Sequence, residues 1–144
     1  MNDKYFIDTN ILIYSFDTAN KEKQSIAKQI IQEAMDKQCG CISFQVIQEF
    51  LNTATRKFKV PLSPSDCQRY LNLILEPLCE VFTSIELYFQ SLEIMERWQY
   101  AFYDSLIISA ALQANCTALY TEDLQHGQKI KNLTITNPFI MDFI

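Results

Sequence analysis

The sequence predicts an α/β fold, a parallel sheet of four to five strands with helices on both faces. Short apolar runs alternate along the chain with longer stretches of helical periodicity, the order that right-handed strand–helix–strand crossovers produce. The stretch Tyr103 to Ala114 is apolar nearly all round, which marks a buried helix rather than an amphipathic surface one. No repeat, linker or low-complexity segment interrupts the 144 residues, so one domain spanning 1–144 is expected.

Lys4 to Ile7 reads as a buried first strand ending at Asp8, and Ile11, Leu12 and Tyr14 carry the chain into a helix. From Lys21 to Lys37 the residues Ile26, Ile30 and Ala34 recur at helical spacing, and Gly40 punctuates the exit before the strand Cys41-Ile42-Ser43-Phe44. The next helix, Gln45 to Phe58, gathers Ile47, Phe50, Leu51, Ala54 and Phe58 on one face and Gln45, Glu49, Asn52, Thr53 and Arg56 on another. Ser63 as N-cap, Pro64 in the first turn and Asp66 beside the positive helix end start another helix, expected to end near Pro77. Cys79 to Thr83 is a strand, and Ser84 caps a helix whose stripe is Ile85, Tyr88, Phe89, Leu92 and Met95, extended by Trp98. Thr117 to Tyr120 and Leu133 to Thr136 close the list of strands, separated by the polar stretch around Gln125-His126-Gly127-Gln128.

Composition removes several function classes. With Gly40 and Gly127 as the only glycines, neither GxGxxG nor a P-loop can be written. With His126 as the only histidine, HExxH zinc chemistry is excluded. Five cysteines among apolar neighbours, without a CxxC pair, read as free thiols in the core. A net charge of −5 opposes sequence-blind adhesion to phosphates, so nucleic acid would be met by local basic patches or by bound metal. No apolar run of membrane-spanning length exists and the start lacks a secretory layout, so a cytoplasmic protein without membrane contact is expected.

Carboxylates remain abundant, and their placement is specific. In an open α/β sheet ligands gather beyond the carboxyl ends of the strands. Asp8 closes the first strand, Asp104 opens the buried helix, and Asp123 follows the Thr117 to Tyr120 strand. Glu49 lies over a turn into its helix, but helical side chains lean toward the N-terminus and a glutamate is long enough to reach back. Clustered carboxylates without histidine suit a hard cation such as Mg²⁺, which retains waters for a phosphate-bearing substrate. Singly, each acid has a plainer reading: Asp8 and Asp104 as N-caps, Glu49 as a solvated side chain, Asp123 as a turn residue. Asp104, beside the most apolar segment, is the one whose burial most requires a partner.

Four short motifs carry a resemblance: Phe6-Ile7-Asp8-Thr9-Asn10, Gln48-Glu49-Phe50, Asp104-Ser105-Leu106-Ile107 and Thr121-Glu122-Asp123. In this order and spacing they resemble the successive motifs of PIN domains, and Asn137-Pro138-Phe139 is similar as well. The resemblance implies an acidic pocket holding Mg²⁺ or Mn²⁺ and hydrolysis of RNA by an activated water. Asp8 and Asp104 would be the chief metal ligands, Glu49 and Asp123 would complete the pocket, and Thr9 and Thr121 would orient the acids. The short chain also resembles VapC toxins of VapBC toxin–antitoxin systems, which implies a homodimer and a cognate antitoxin whose basic side chain enters the acidic pocket. Arg56, Lys57 and Lys59, with Lys129 and Lys131, are the candidate RNA contacts, solvated surface being their plainer reading. His126 receives no catalytic role, and Trp98 and Tyr103 fit packing better than base stacking. The rival readings are a non-catalytic RNA- or protein-binding module of the same fold, a housekeeping RNA-processing or DNA-cleaving nuclease, and a phospho-accepting receiver domain. The last lacks the usual second acid beside Asp8.

Overall fold

The structure, a computed structural model, describes residues 3–140. Its elements run β1 (Tyr5–Ile7), α1 (Thr9–Tyr14), α2 (Lys21–Lys37), β2 (Gly40–Ser43), α3 (Phe44–Arg56), α4 (Pro64–Tyr70), a π-helical turn (Leu71–Leu75), α5 (Glu76–Leu78), β3 (Cys79–Val81), α6 (Ile85–Trp98), α7 (Phe102–Gln113), β4 (Ala118–Tyr120), β5 (Lys129–Ile130) and β6 (Leu133–Thr136). The sheet order is β3-β2-β1-β4-β6-β5, parallel throughout except for the antiparallel β5/β6 pair. The expected α/β architecture is therefore present, with six strands rather than four to five. The additional strand, β5, is only two residues long and returns through Lys131 at φ 57°, too short for an alternating pattern to reveal it.

β1 occupies the middle of the sheet, with Tyr5, Phe6 and Ile7 all buried between β2 and β4. From β1 the chain builds β2 and β3 on one side and then crosses to lay β4 on the other. This reversal creates a topological switch point between the carboxyl ends of β1 and β4, where α/β sheets form their crevices. Register fixes that edge: Ile7 lies opposite Tyr120, and the Asp8 N–H donates to the Tyr120 carbonyl at 3.0 Å.

Local chemistry sets the joints. Asn20, Ser63 and Ser84 each accept a backbone N–H at the head of α2, α4 and α6, satisfying donors the helix itself leaves free. Gly40 is required by close approach, since a Cβ there would stand 2.6 Å from the Ala34 Cβ and 2.7 Å from Tyr5 Cε1. Phe16, Phe50, Phe58 and Tyr70 form an aromatic cluster with centroid spacings from 5.0 to 6.1 Å, joining the turn after α1 to α3, the segment that follows it and α4. The Cys41 and Cys116 sulfurs lie 3.6 Å apart in the core as free thiols.

Two expectations about packing are corrected. Helix α6 buries Leu87, Ser91 and Ile94 and leaves Ile85 69%, Phe89 66% and Leu92 53% exposed. Both faces carry residues at i, i+4 and i+7 spacing, so periodicity does not choose between them. The face packed inward carries the small Ser91, whose hydroxyl donates to the Leu87 carbonyl at 2.8 Å and so enters the interior satisfied. Tyr103, expected to pack, is 67% exposed, with its ring against the edge of Phe102.

Candidate functional site

Asp8 is the hinge of the site. It terminates β1 and caps α1, accepting the Thr9 N–H on Oδ1 and the Thr121 hydroxyl on Oδ2, both at 2.7 Å. The residue is only 8% exposed. Burial pushes its carboxyl up to about 6; the Thr121 and Thr9 hydrogen bonds pull the other way, and the Glu49 and Asp123 charges add to the rise.

Glu49 reaches the same place from α3. Its Oε1 accepts the Thr9 hydroxyl at 2.6 Å and its Oε2 accepts from Gln45 Nε2 at 3.1 Å. Thr9 thus bridges two acids, its backbone serving Asp8 and its hydroxyl serving Glu49. Gln45, expected on the polar face of its helix, is buried and also donates to the Tyr103 carbonyl at 3.3 Å, tying α3 to the entrance of α7.

Asp104 lies in the first turn of α7 but does not cap it; Ala101 holds that position without a side-chain hydrogen bond. The N-cap reading of Asp104 is thereby corrected. Among the described residues no hydrogen bond reaches its carboxylate. Its carboxyl is raised by burial and then by Asp123 and Glu49.

Asp123, exposed beyond β4, accepts Asn10 Nδ2 on Oδ2 at 2.9 Å, while its N–H donates to Thr121 Oγ1 at 3.1 Å. Thr121 is wholly buried and connects Asp8 to the Asp123 loop. The loop is also held through Glu122, which accepts from Tyr14 at 2.7 Å and pairs with Lys23. The Lys23 ammonium lies 4.7 Å from the centroid of the Tyr14 ring and 5.3 Å from that of Phe139. Asp8, Glu49, Asp104 and Asp123 therefore come from four separate elements to one edge, near enough for each to be felt by others.

Sequence reasoning passed over Asn10 and Gln45 as members of this network. Asn10 was legible: on a helix starting at Asp8 it sits in the first turn beside the strand ends. Gln45 was not, because its burial and its bond to the Tyr103 carbonyl depend on α7 packing beside it. Asn10 Oδ1 and Gln45 Oε1 are both buried without a hydrogen-bond partner among the described residues.

A model of the PIN domain matches residues 5–130. The chain belongs to the PIN domain family. Among solved structures, a toxin–antitoxin complex from Klebsiella pneumoniae is 18% identical, covering 91% of this chain and 96% of that chain at a TM-score of 0.63. VapC20 of Mycobacterium tuberculosis, a sarcin–ricin loop cleaving toxin, is 15% identical over 83% of this chain and 90% of that one at 0.60. VapBC2 from Rickettsia felis, bound to a promoter DNA fragment, is 23% identical over 92% and 97% at 0.58. At such identities the likeness is one of fold. No curated protein matches the sequence.

The acidic edge of this PIN domain has a donor set of oxygens alone, as a hard cation requires. Among the described residues no three His, Cys, Asp or Glu side chains converge on one point closely enough to enclose an ion. Mg²⁺ is normally held by one or two carboxylates and several waters rather than by a closed protein cage.

The basic residues are spread elsewhere. Arg56 and Lys57 stand at the far end of α3, about 10 Å along its axis from Glu49, and Lys59 follows them. Lys129 lies opposite Thr134, which pairs with Ala118 at the opposite end of β4 from Asp123, and Lys131 lies beyond it. Neither Arg56 and Lys57 nor Lys129 stands at the strand ends that carry the acids. His126 ties a loop, its Nδ1 accepting the Asn137 N–H at 2.9 Å.

Proposed function

We propose that this PIN domain is a Mg²⁺-dependent endoribonuclease, with Mn²⁺ able to replace Mg²⁺, and that it is the toxin of a VapBC-type pair. The observation that carries the reading is the gathering of Asp8, Glu49, Asp104 and Asp123 at the switch point, where burial and mutual repulsion raise Asp8 and Asp104. Such a cluster is costly without a cation. Asp8 and Asp104 would hold the metal, and Glu49 and Asp123 would complete its shell directly or through water. The chemistry such an ion would supply there is polarisation of a phosphodiester and a lowered pKa for a bound water. Thr9 and Thr121 keep Glu49 and Asp8 in fixed orientation through the hydroxyl bonds described above. Tyr103, exposed one residue before Asp104, offers an aromatic face on which a base of the RNA stacks.

The partners follow from two apolar surfaces. A groove of about 530 Å³ lined by Ile13, Phe16, Phe58, Val60 and Leu62 starts on α1, the helix that Asp8 caps. It seats an apolar segment of a cognate antitoxin, whose basic side chain enters the acidic pocket and competes with metal. The exposed stripe of Ile85, Phe89 and Leu92 on α6 is the contact of a homodimer. The protein works in the cytoplasm; among the described residues no helix is long and apolar enough to cross a membrane.

The decisive experiment is cleavage of a mixed RNA panel with Mg²⁺, with EDTA, and with Asp104→Asn checked to be folded. Cutting that disappears in EDTA and falls by at least about 100-fold in the variant supports the reading. Equal inertness of both proteins, with RNA still bound, would replace the nuclease by a binding module.

A further inference from the structure

A cavity lies away from the acids, at the other end of β4. Its volume is about 650 Å³, within the size range of small-molecule sites. Ile94, Arg97 and Trp98 of α6, Ser109 and Leu112 of α7, and Cys116 before β4 contribute to its wall, with Lys131 at the β5–β6 turn. Cys116 precedes β4, whereas Asp123 follows it, so cavity and acids occupy opposite ends of the same strand.

Two of the wall's polar atoms are left without partners. Trp98 Nε1 and Ser109 Oγ are buried, and neither finds a hydrogen-bond partner among the described residues. Ser109 is wholly inaccessible, between Ile108 and Ala110 in the apolar middle of α7. Buried donors are paired in all but a few cases, and two orphans among the residues lining one cavity each call for a partner. An indole N–H only donates, so whatever satisfies it must present an acceptor.

The charges around the opening narrow the choice. Arg97 and Lys131 contribute two positive charges and Glu93 one negative charge, an excess of one positive charge. The Arg97 guanidinium lies 5.3 Å from the centroid of the Trp98 ring, and Ile94, Leu112 and Cys116 supply an apolar lining. Neither orphan atom is open to water, so a guest reaches them through a shift of a wall side chain; exposed Arg97, already over the indole, is free to make it.

We infer that this cavity binds a small organic anion with an apolar body, its anionic end between Arg97 and Lys131 and an acceptor oxygen facing Trp98 Nε1–H and the Ser109 hydroxyl. The site goes beyond the nuclease reading and depends on none of its residues.

Trp98 is the only tryptophan in the chain, so the single indole N–H resonance of ¹⁵N-labelled protein reports on the site directly. Benzoate and phenyl phosphate serve as probes, and benzyl alcohol as the neutral control. A saturable displacement of the indole resonance by either anion, with Kd on the order of 1 mM or tighter, is expected. Arg97→Gln and Lys131→Gln each weaken it by about tenfold, and Glu93→Gln tightens it. These three side chains are exposed, so the variants fold, and retained dispersion of the other amide signals checks this. A resonance unmoved by both anions at about 10 mM overturns the proposal. Equal displacement by benzyl alcohol, or affinities indifferent to all three charge changes, overturns it too.

Discussion

Asp8 ends a buried strand with both carboxylate oxygens hydrogen-bonded, whereas Asp104 stands on the first turn of a buried helix with neither oxygen so engaged among the described residues. Both are raised by burial, Asp8 to about 6. The difference teaches that one acidic pocket contains two kinds of acid. Asp8 is part of the scaffold, tying β1 to α1 and, through Thr121, to the Asp123 loop. Asp104 is set by its helix, and its carboxylate takes part in no hydrogen bond among the described residues, as the proposed role at a cation requires.

The sharpest way to break this comparison is Asp104→Asn. RNA cleavage should fall by at least about 100-fold while thermal stability holds or rises, because the change removes a repelling charge and no hydrogen bond. A variant that unfolds early would make Asp104 structural as well. On the other acid, Thr121→Val removes the hydroxyl that serves Asp8 and accepts the Asp123 N–H. It should cost about 1–3 kcal/mol in denaturant unfolding, with Thr121→Ser recovering most of the loss. If valine is as stable as threonine, Asp8 is not the scaffold residue described.

Acidity provides a smaller effect of defined sign. Asp8 titrates higher in the folded chain, about 6, than the ordinary 3.8, so the folded state binds its proton more tightly than the unfolded one. Metal-free protein should therefore gain about 1–2 kcal/mol as pH falls from 7 to 5, and saturating Mg²⁺ should flatten that gain. Asp104 moves the same way, while Glu122, which burial raises but Lys23 and Tyr14 lower further, opposes it. Urea titrations in EDTA at the two pH values decide, and stability that falls on acidification would contradict the assignment. The smallest effect expected is for Asn10→Ala. Losing one hydrogen bond to Asp123 and one acceptor oxygen should lower cleavage by about tenfold and raise the Mg²⁺ requirement, with little change in stability.

Much of the fold was legible. Strand runs, serine and asparagine caps and the all-apolar α7 depend on local chemistry, which reads directly from neighbouring residues. The positions of Asp8, Asp104 and Asp123 at strand ends and helix starts were legible for the same reason. What escaped were features set by contact: the burial of Gln45, the exposure of Tyr103, and β5, whose two residues become a strand only because β6 is beside them. The candidate RNA lysines show the same limit, since proximity to Asp123 in the chain did not carry Lys129 and Lys131 to its end of the sheet.

The sequence by itself determined that this chain alternates strands with helices, that it lacks the glycines and histidines of several other chemistries, and that acids stand where such a sheet opens. Those properties reside in composition, period and order. Only the tertiary structure decided which face of α6 packs inward, that Thr9 and Thr121 each bridge between the acids, and that Trp98 Nε1 and Ser109 Oγ, on residues lining one cavity, lack hydrogen-bond partners among the described residues. The physical reason is that hydrogen bonds and close packing act between residues brought together by the folded backbone, and the Asp8–Thr121 bond joins positions 113 residues apart.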